Sequence, residues 1–220
     1  MRALIAKEIQ LVVHPSTYFL VVLGALVLVP SWPYAVVLLY GILIAFFNAM
    51  NAREFHDLSY TFALPVSRED MVRARVGVMA VIEIVIVAIM ALFVCLRIPL
   101  GINEIAMGQS FVGLPANISL LGFSLAAFGI FNLVFFALYY KDPLKVGIPF
   151  LIACIPFLVF CGLFEALPFV PIEACGLISA SGFGNIGAQL AVLGAGITVF
   201  AVLNGGACRL ATRAFADYDA

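Results

Sequence analysis

From Thr17 to Met50 the chain runs 34 residues without a charged side chain. As one α-helix that stretch would be about 50 Å long, well beyond a hydrocarbon core of about 30 Å. It has to break, and Pro30 and Pro33 in PSWP mark the place. The expectation is a tight hairpin of two spans, about residues 17–30 and 33–51. The first is shorter than a standard span, so its far end is expected to sit below the membrane surface or under protein cover.

The rest of the chain has the same character. It is 65% hydrophobic and 10% charged, less than half of the roughly 25% charged residues of soluble domains. Apolar runs recur at 76–96, 116–140, 144–166 and 185–208, and six spans use up most of the 220 residues. The fold class is therefore all-α: a polytopic membrane protein, residues 1–220 forming a single transmembrane domain of six helices. Pro149 and Pro156 are expected to kink the fifth span. Residues 1–14 place Arg2, Lys7, Gln10 and His14 on one helical face and Leu4, Ile5, Ile9 and Val12 on another. That pattern predicts an amphipathic helix lying at the membrane surface. Glu8 interrupts the basic region, and no small-x-small site precedes Pro30, so the first span is read as uncleaved rather than as a signal peptide.

Basic residues orient the bundle. Arg2, Lys7, Arg53, Arg68, Arg73, Arg75, Lys141, Lys145, Arg209 and Arg213 fall on one side of the six-span layout, and Arg97 alone falls on the other. The bias puts both termini in the cytosol. Segments 98–115 and 167–184, punctuated by Gly and Pro, then become external connections.

Several chemistries are excluded. A net charge of −1 without a basic stripe argues against nucleic acid as a partner. The five cysteines are scattered without a CxxC pair, which points to neither a metal site nor a disulfide framework. His14 and His56 have no HExxH and no second ligand at helical spacing. Ser181 in SASGFG has no histidine on its predicted side to act as a base. No GxxxxGK[ST] loop occurs, so the chain has no P-loop cradle for nucleotide phosphates. The chain reads as a non-enzyme with no metal and no cofactor of its own.

Residues 53–75, REFHDLSYTFALPVSREDMVRAR, hold eight of the 23 charged side chains. Ser67 and Asp70 have the form of a helix start, with Ser67 as cap and Asp70 reaching back from the third helical position. One helix is expected to run from there through the third span to about Leu96. Before it, Phe55, Leu58 and Phe62 fall at i, i+3 and i+7, one face of a short helix among polar neighbours. The residues leave two readings open: a helix that inserts into a groove on a soluble partner, or one that rests on the bilayer interface.

The pattern REFHDLSYTFALPVSREDMVRARV resembles the signature between the second and third spans of small ABC-2-type transporter permeases. The N-terminal MRALIAKEIQL and the apolar hairpin after it are similar to that family as well. The specific part is Arg53–Glu54 with Leu64, Pro65, Val66, Ser67 and Arg68. The resemblance implies a coupling helix that docks on separate ABC ATPase subunits, which would bind the ATP and Mg. The docking residues would be Glu54, Phe55, Asp57, Leu58, Tyr60, Phe62 and Leu64. It further implies a second permease subunit, identical or paralogous, a bacterial inner membrane with its lipid, and outward movement of hydrophobic or amphipathic cargo such as a peptide, lipid or drug.

Glu83 lies deep in the third span, where a carboxylate costs about 2.5–3.5 kcal/mol. With Asn132 it forms a candidate intramembrane polar site. It reads either as a substrate-path or protonation site, or as a hydrogen-bonded carboxyl holding helices together. Asn48, Asn51, Asn185, Gln189 and Asn204 are read as interhelical hydrogen-bonding groups. Gly187, Ala191 and Ala195, with Gly194, Gly196, Gly205 and Gly206 near, make a small face on the sixth span that would let a neighbouring helix, of this chain or of a second subunit, approach closely. Two alternatives to an exporter stay open: a proton-coupled secondary carrier using Glu83, and a non-transporting membrane scaffold or immunity protein.

Overall fold

In hydrocarbon every backbone N–H and C=O must find its partner within the protein, and a helix achieves this inside one segment. The computed structural model describes residues 2–29, 32–62, 65–97, 99, 100, 102, 113–180, 182, 185–216 and 218. Among them the regular elements are all helical. Helix α1 (Arg2–Lys7) continues as a π-helical turn, Glu8–Val12. After a break, α2 (Ser16–Val22) tightens into a 3-10 turn, Leu23–Leu28. Then come α3 (Tyr34–Glu54), α4 (Asp57–Phe62), α5 (Arg68–Arg97), α6 (Ile118–Tyr139), α7 (Gly147–Ala166), a 3-10 turn (Leu167–Phe169), α8 (Glu173–Ile178) and α9 (Ile186–Ala216).

Among the described residues, five helices are long and apolar enough to cross a bilayer: α3, α5, α6, α7 with its 3-10 extension, and α9. The α1 and α2 arms, bent by 91°, make a sixth if the pair counts as one broken span. The chain is thus a multi-pass membrane protein. Pro30 and Ser31, where the hairpin break was expected, lie outside the described residues, as do 103–112 of the 98–115 connection. The last helix runs to Ala216, past the expected end of the sixth span at 208. It continues because Ala207, Ala211 and Phe215 stay buried, and the Phe215 ring packs 5.0 Å from that of Tyr140.

The 91° elbow has a specific support. Its carbonyls and N–H groups lose their helical partners, and α3 replaces them. Asn51 donates through Nδ2 to the carbonyls of Leu11 and Val12, both at 3.0 Å. Asn48 Oδ1 accepts from the His14 N–H at 2.8 Å and from the Thr17 hydroxyl at 3.1 Å. The buried face of the first arm is Leu4, Glu8 and Val12, while Ile5 and Ile9 are exposed. This differs from the two faces expected of an amphipathic surface helix. Glu8, a carboxylate, has been drawn inward by cations on other elements.

Helix α6 is the hub. Buried residues make up 72% of its spanning window, against 17% for α9 and 28% for α7. Phe131, Phe135 and Tyr139 stack along it with ring centroids 5.3 and 5.6 Å apart. Phe157 of α7 meets Phe131 edge-on at 6.2 Å. Against α9 the approach is backbone to backbone: a Cβ on Gly196 would stand 2.2 Å from the Gly122 carbonyl oxygen. Only glycine fits such a contact. Ala191 and Ala195, of the small face read from the sequence, are exposed, and a Cβ on Gly187 would meet open space.

The same face decides a test. Gly196→Ala is expected to lower unfolding stability in lipid by about 1–3 kcal/mol, the usual cost of overpacking. Gly205→Ala, where a Cβ would meet nothing within 4 Å, is expected to be neutral or slightly stabilising, since it removes a helical glycine. Thermal unfolding of the two variants side by side makes the comparison.

Candidate functional site

Helix α3 ends at Glu54, and the chain passes through His56 at φ 50° before α4 begins. Left-handed backbone is uncommon for a residue with a Cβ, though histidine is among those that tolerate it. The break re-aims the chain, so Phe55 and Leu58 do not share one continuous helical face as the spacing predicts. Phe55 swings outward and is 66% exposed, whereas Leu58 packs half-buried on the core.

Asp57 opens α4 and points inward, 3% exposed. It meets two cations from distant parts of the chain. Lys7 Nζ stands 2.7 Å from Asp57 Oδ1, and Arg75 Nη2 stands 2.5 Å from Oδ2. Arg75 also grips Glu8 with Nε at 2.9 Å and Nη2 at 3.2 Å, and donates through Nη1 to the Tyr139 hydroxyl at 3.2 Å. Lys7 completes the set with Glu8 at 3.2 Å and the Thr61 hydroxyl at 2.8 Å. Two cations thus face two carboxylates out of water. A pair buried this way repays its desolvation only when its geometry is good and its spare donors are filled. Here Nε, Nη1 and Nη2 of Arg75 all find oxygens. A cavity of about 20 Å³, bounded by Glu8, Asn48, Arg75 and Tyr139 among others, adjoins the cluster.

The consequence is mechanical. The N-terminal arm, α4, the base of α5 and the end of α6 meet at one set of side chains. Burial alone would raise the Asp57 carboxyl, but the guanidinium of Arg75 and the ammonium of Lys7 outweigh it. They hold the group below its ordinary value of 3.8.

The start of α5 forms as the sequence predicts. Ser67 Oγ accepts from the Asp70 N–H at 3.1 Å and donates to Asp70 Oδ2 at 2.8 Å. Next to it, Arg68 Nη1 donates to the carbonyls of Phe215, Ala216 and Tyr218, at 2.8, 3.0 and 3.0 Å, covering the end of α9. The basic residues near Lys7, Arg53, Arg68 and Arg75 therefore gather at one end of the bundle, where Arg53 also reaches the Leu144 carbonyl at 3.4 Å. Around α4, Glu54, Phe55, His56 and Tyr60 are exposed. The Phe62 side chain and Leu64 lie outside what the structure describes.

The structure brings the two intramembrane candidates together. Asn132 Nδ2 donates to Glu83 Oε2 at 2.7 Å and to Asn204 Oδ1 at 3.0 Å. Asn204 in turn donates to the Phe200 carbonyl at 2.9 Å. Glu83 and Asn132 have no exposed surface, and Asn204 is 9% exposed. The chain of polar groups links α5, α6 and α9.

Sequence reasoning missed Glu8, Arg75 and Tyr139 as a site, and Arg97 and Glu165 at the opposite end. Buried Arg97 donates to the Val27 carbonyl at 2.7 Å and to the Tyr34 hydroxyl. Glu165 accepts from the N–H groups of Ala35 at 3.3 Å and Leu114 at 3.2 Å. The one available signal was Glu8 at four-residue spacing between Leu4 and Val12, which places its carboxylate on their face. No family profile, curated protein or solved structure matches the chain.

Removing Arg75 would leave Glu8 and Asp57 buried without their main counter-charge. Arg75→Ala is expected to cost about 3–5 kcal/mol of unfolding stability. Glu69→Ala, which breaks the exposed Glu69–Arg73 pair, is expected to cost less than about 1 kcal/mol. Asp57 adds a pH signature. Its lowered folded value means its contribution is complete above 3.8 and is lost as pH falls toward and through that lowered value. Acid titration of unfolding should accordingly show a shallower acid limb for Asp57→Asn than for the wild type.

Proposed function

We propose that this chain is the membrane-spanning subunit of an ATP-driven exporter of the ABC-2 type, with its cytosolic segment 53–68 docking a separate ATPase. The observation that carries the reading is the mounting of α4. A short helix, entered through the exposed Glu54, Phe55 and His56 and carrying the exposed Tyr60, is bolted through Asp57 to Arg75 near the start of a 30-residue helix. A helix merely resting on lipid has no need of a buried ionic anchor at its first residue.

In this reading the aromatic rim seats in a groove on the ATPase, as an interfacial helix does in a partner's cleft. Closure of the ATPases on ATP displaces α4. The cluster passes the displacement to α5, which is rigid along about 45 Å. Hydrolysis and release reset it. The basic end faces the cytosol by the positive-inside rule. The docking surface comprises Glu54, Phe55 and Tyr60, with Leu58 as its foot on the core. Asp57, also in the set implied by the family likeness, serves as the anchor. A second copy or paralogue completes the path, and the membrane is the bacterial inner membrane. The cargo is hydrophobic or amphipathic.

Affinity purification from the native membrane tests the docking. A P-loop ATPase is expected to accompany the wild type. Phe55→Ala and Tyr60→Ala are expected to weaken its retention by about thirty-fold each, since truncating an anchoring aromatic costs about 2 kcal/mol or more. Retention of the ATPase by the double variant, or its absence from the wild-type preparation, would contradict the reading.

A further inference from the structure

Two buried oxygens in the middle of the bundle have no hydrogen-bond donor: Glu83 Oε1 and Asn132 Oδ1. They belong to two groups that already share a bond, from Asn132 Nδ2 to Glu83 Oε2 at 2.7 Å. Two acceptors left bare on hydrogen-bonded neighbours, with no exposed surface on either residue, would be costly on two counts. Each forfeits its hydration, and a carboxylate there would carry a full charge into an apolar interior. One proton removes both costs.

We infer that Glu83 carries a proton and meets Asn132 edge to edge, carboxyl against carboxamide, so that each group both donates and accepts. Oε1–H donates to Asn132 Oδ1, and Oε2 accepts from Nδ2. The second N–H of Asn132 continues to Asn204 Oδ1, and Asn204 closes the chain on the Phe200 carbonyl. Every polar atom in the row from Glu83 to the Asn132 oxygen then has a partner.

Among the described residues, the surroundings supply nothing to hold a carboxylate instead. Helix α6 carries no charged residue between Ile118 and Tyr139, and α9 none before Arg209. The 3-10 turn packed on α5, Leu23–Leu28, has none, and neither does α2. On α5 itself the nearest cation is Arg75, about 12 Å along the axis, and its guanidinium is spent on Glu8 and Asp57. Arg97 lies further off in the other direction, bound to Val27 and Tyr34. Glu83 so placed is a neutral clamp between α5, α6 and α9. It is no ready base for a proton-coupled cycle. The inference stands apart from the docking reading and survives its failure.

Infrared difference spectroscopy of the full chain in lipid at about pH 7 tests it. Subtracting Glu83→Gln from the wild type is expected to reveal one lost protonated-carboxyl carbonyl band, displaced by deuterium exchange. Glutamine keeps one donor and one acceptor in place, so this variant is expected to fold. Loss of an ionised carboxylate pair of bands in that subtraction would overturn the inference. Asn132→Leu gives a second arm. The same carbonyl band is expected to move to the higher frequency of an unbonded acid, and a band that stays in place would count against the pairing.

Discussion

The position of everything at the basic end of this protein depends on one guanidinium. Arg75 stands at the third turn of α5 and holds Glu8 of the N-terminal arm, Asp57 of α4 and the hydroxyl of Tyr139 on α6. Lys7 adds the second positive charge, so the cluster is neutral as a whole. In an apolar protein with few charges to spend, four placed together out of water are a commitment. Losing one member leaves the others stranded, and that gives the cluster its leverage over four elements at once.

From that anchor the architecture follows outward along α5. The helix is uninterrupted from Arg68 to Arg97. Near its middle, Glu83 ties it to α6 and α9 through Asn132 and Asn204. At its far end, Arg97 takes the last turn of the N-terminal arm and the start of α3 in hand. Helix α5 is therefore a continuous rod with a polar tie at each level. The elbow held by Asn48 and Asn51 belongs to the same design. It fixes the N-terminal arm to α3, so the cluster closes a loop of elements that would otherwise be free to slide.

Much of this was legible in the residues. The uncharged stretch from Thr17 to Met50 had to break, and it does so between Leu28 and Tyr34. Ser67 and Asp70 announced the start of α5, and Glu83 with Asn132 stood out as polar groups in apolar runs. What was hidden had a common cause. In a bilayer, lipid and protein core are equally apolar, so hydropathy cannot say which face of a helix turns inward. Of the small residues on the sixth span, Gly196 makes the close contact within the chain, while Ala191 and Ala195 are exposed. Nothing near Glu8 in the chain announced its burial, because Arg75, the cation that draws it inward, lies 67 residues away. The left-handed turn at His56 carries no glycine to signal it, and it separates Phe55 from the face of Leu58.

Because Arg75 joins them, α4 should move as one body with α5. Spin labels replacing Tyr60 on the exposed side of α4 and Leu92 on the exposed side of α5 measure this in a cysteine-free background, by the spread of the distance between them. One narrow distribution is expected for the otherwise native chain and a broad or divided one when Arg75 is replaced by glutamine. An equally narrow, unshifted distribution in the Arg75→Gln chain would contradict it.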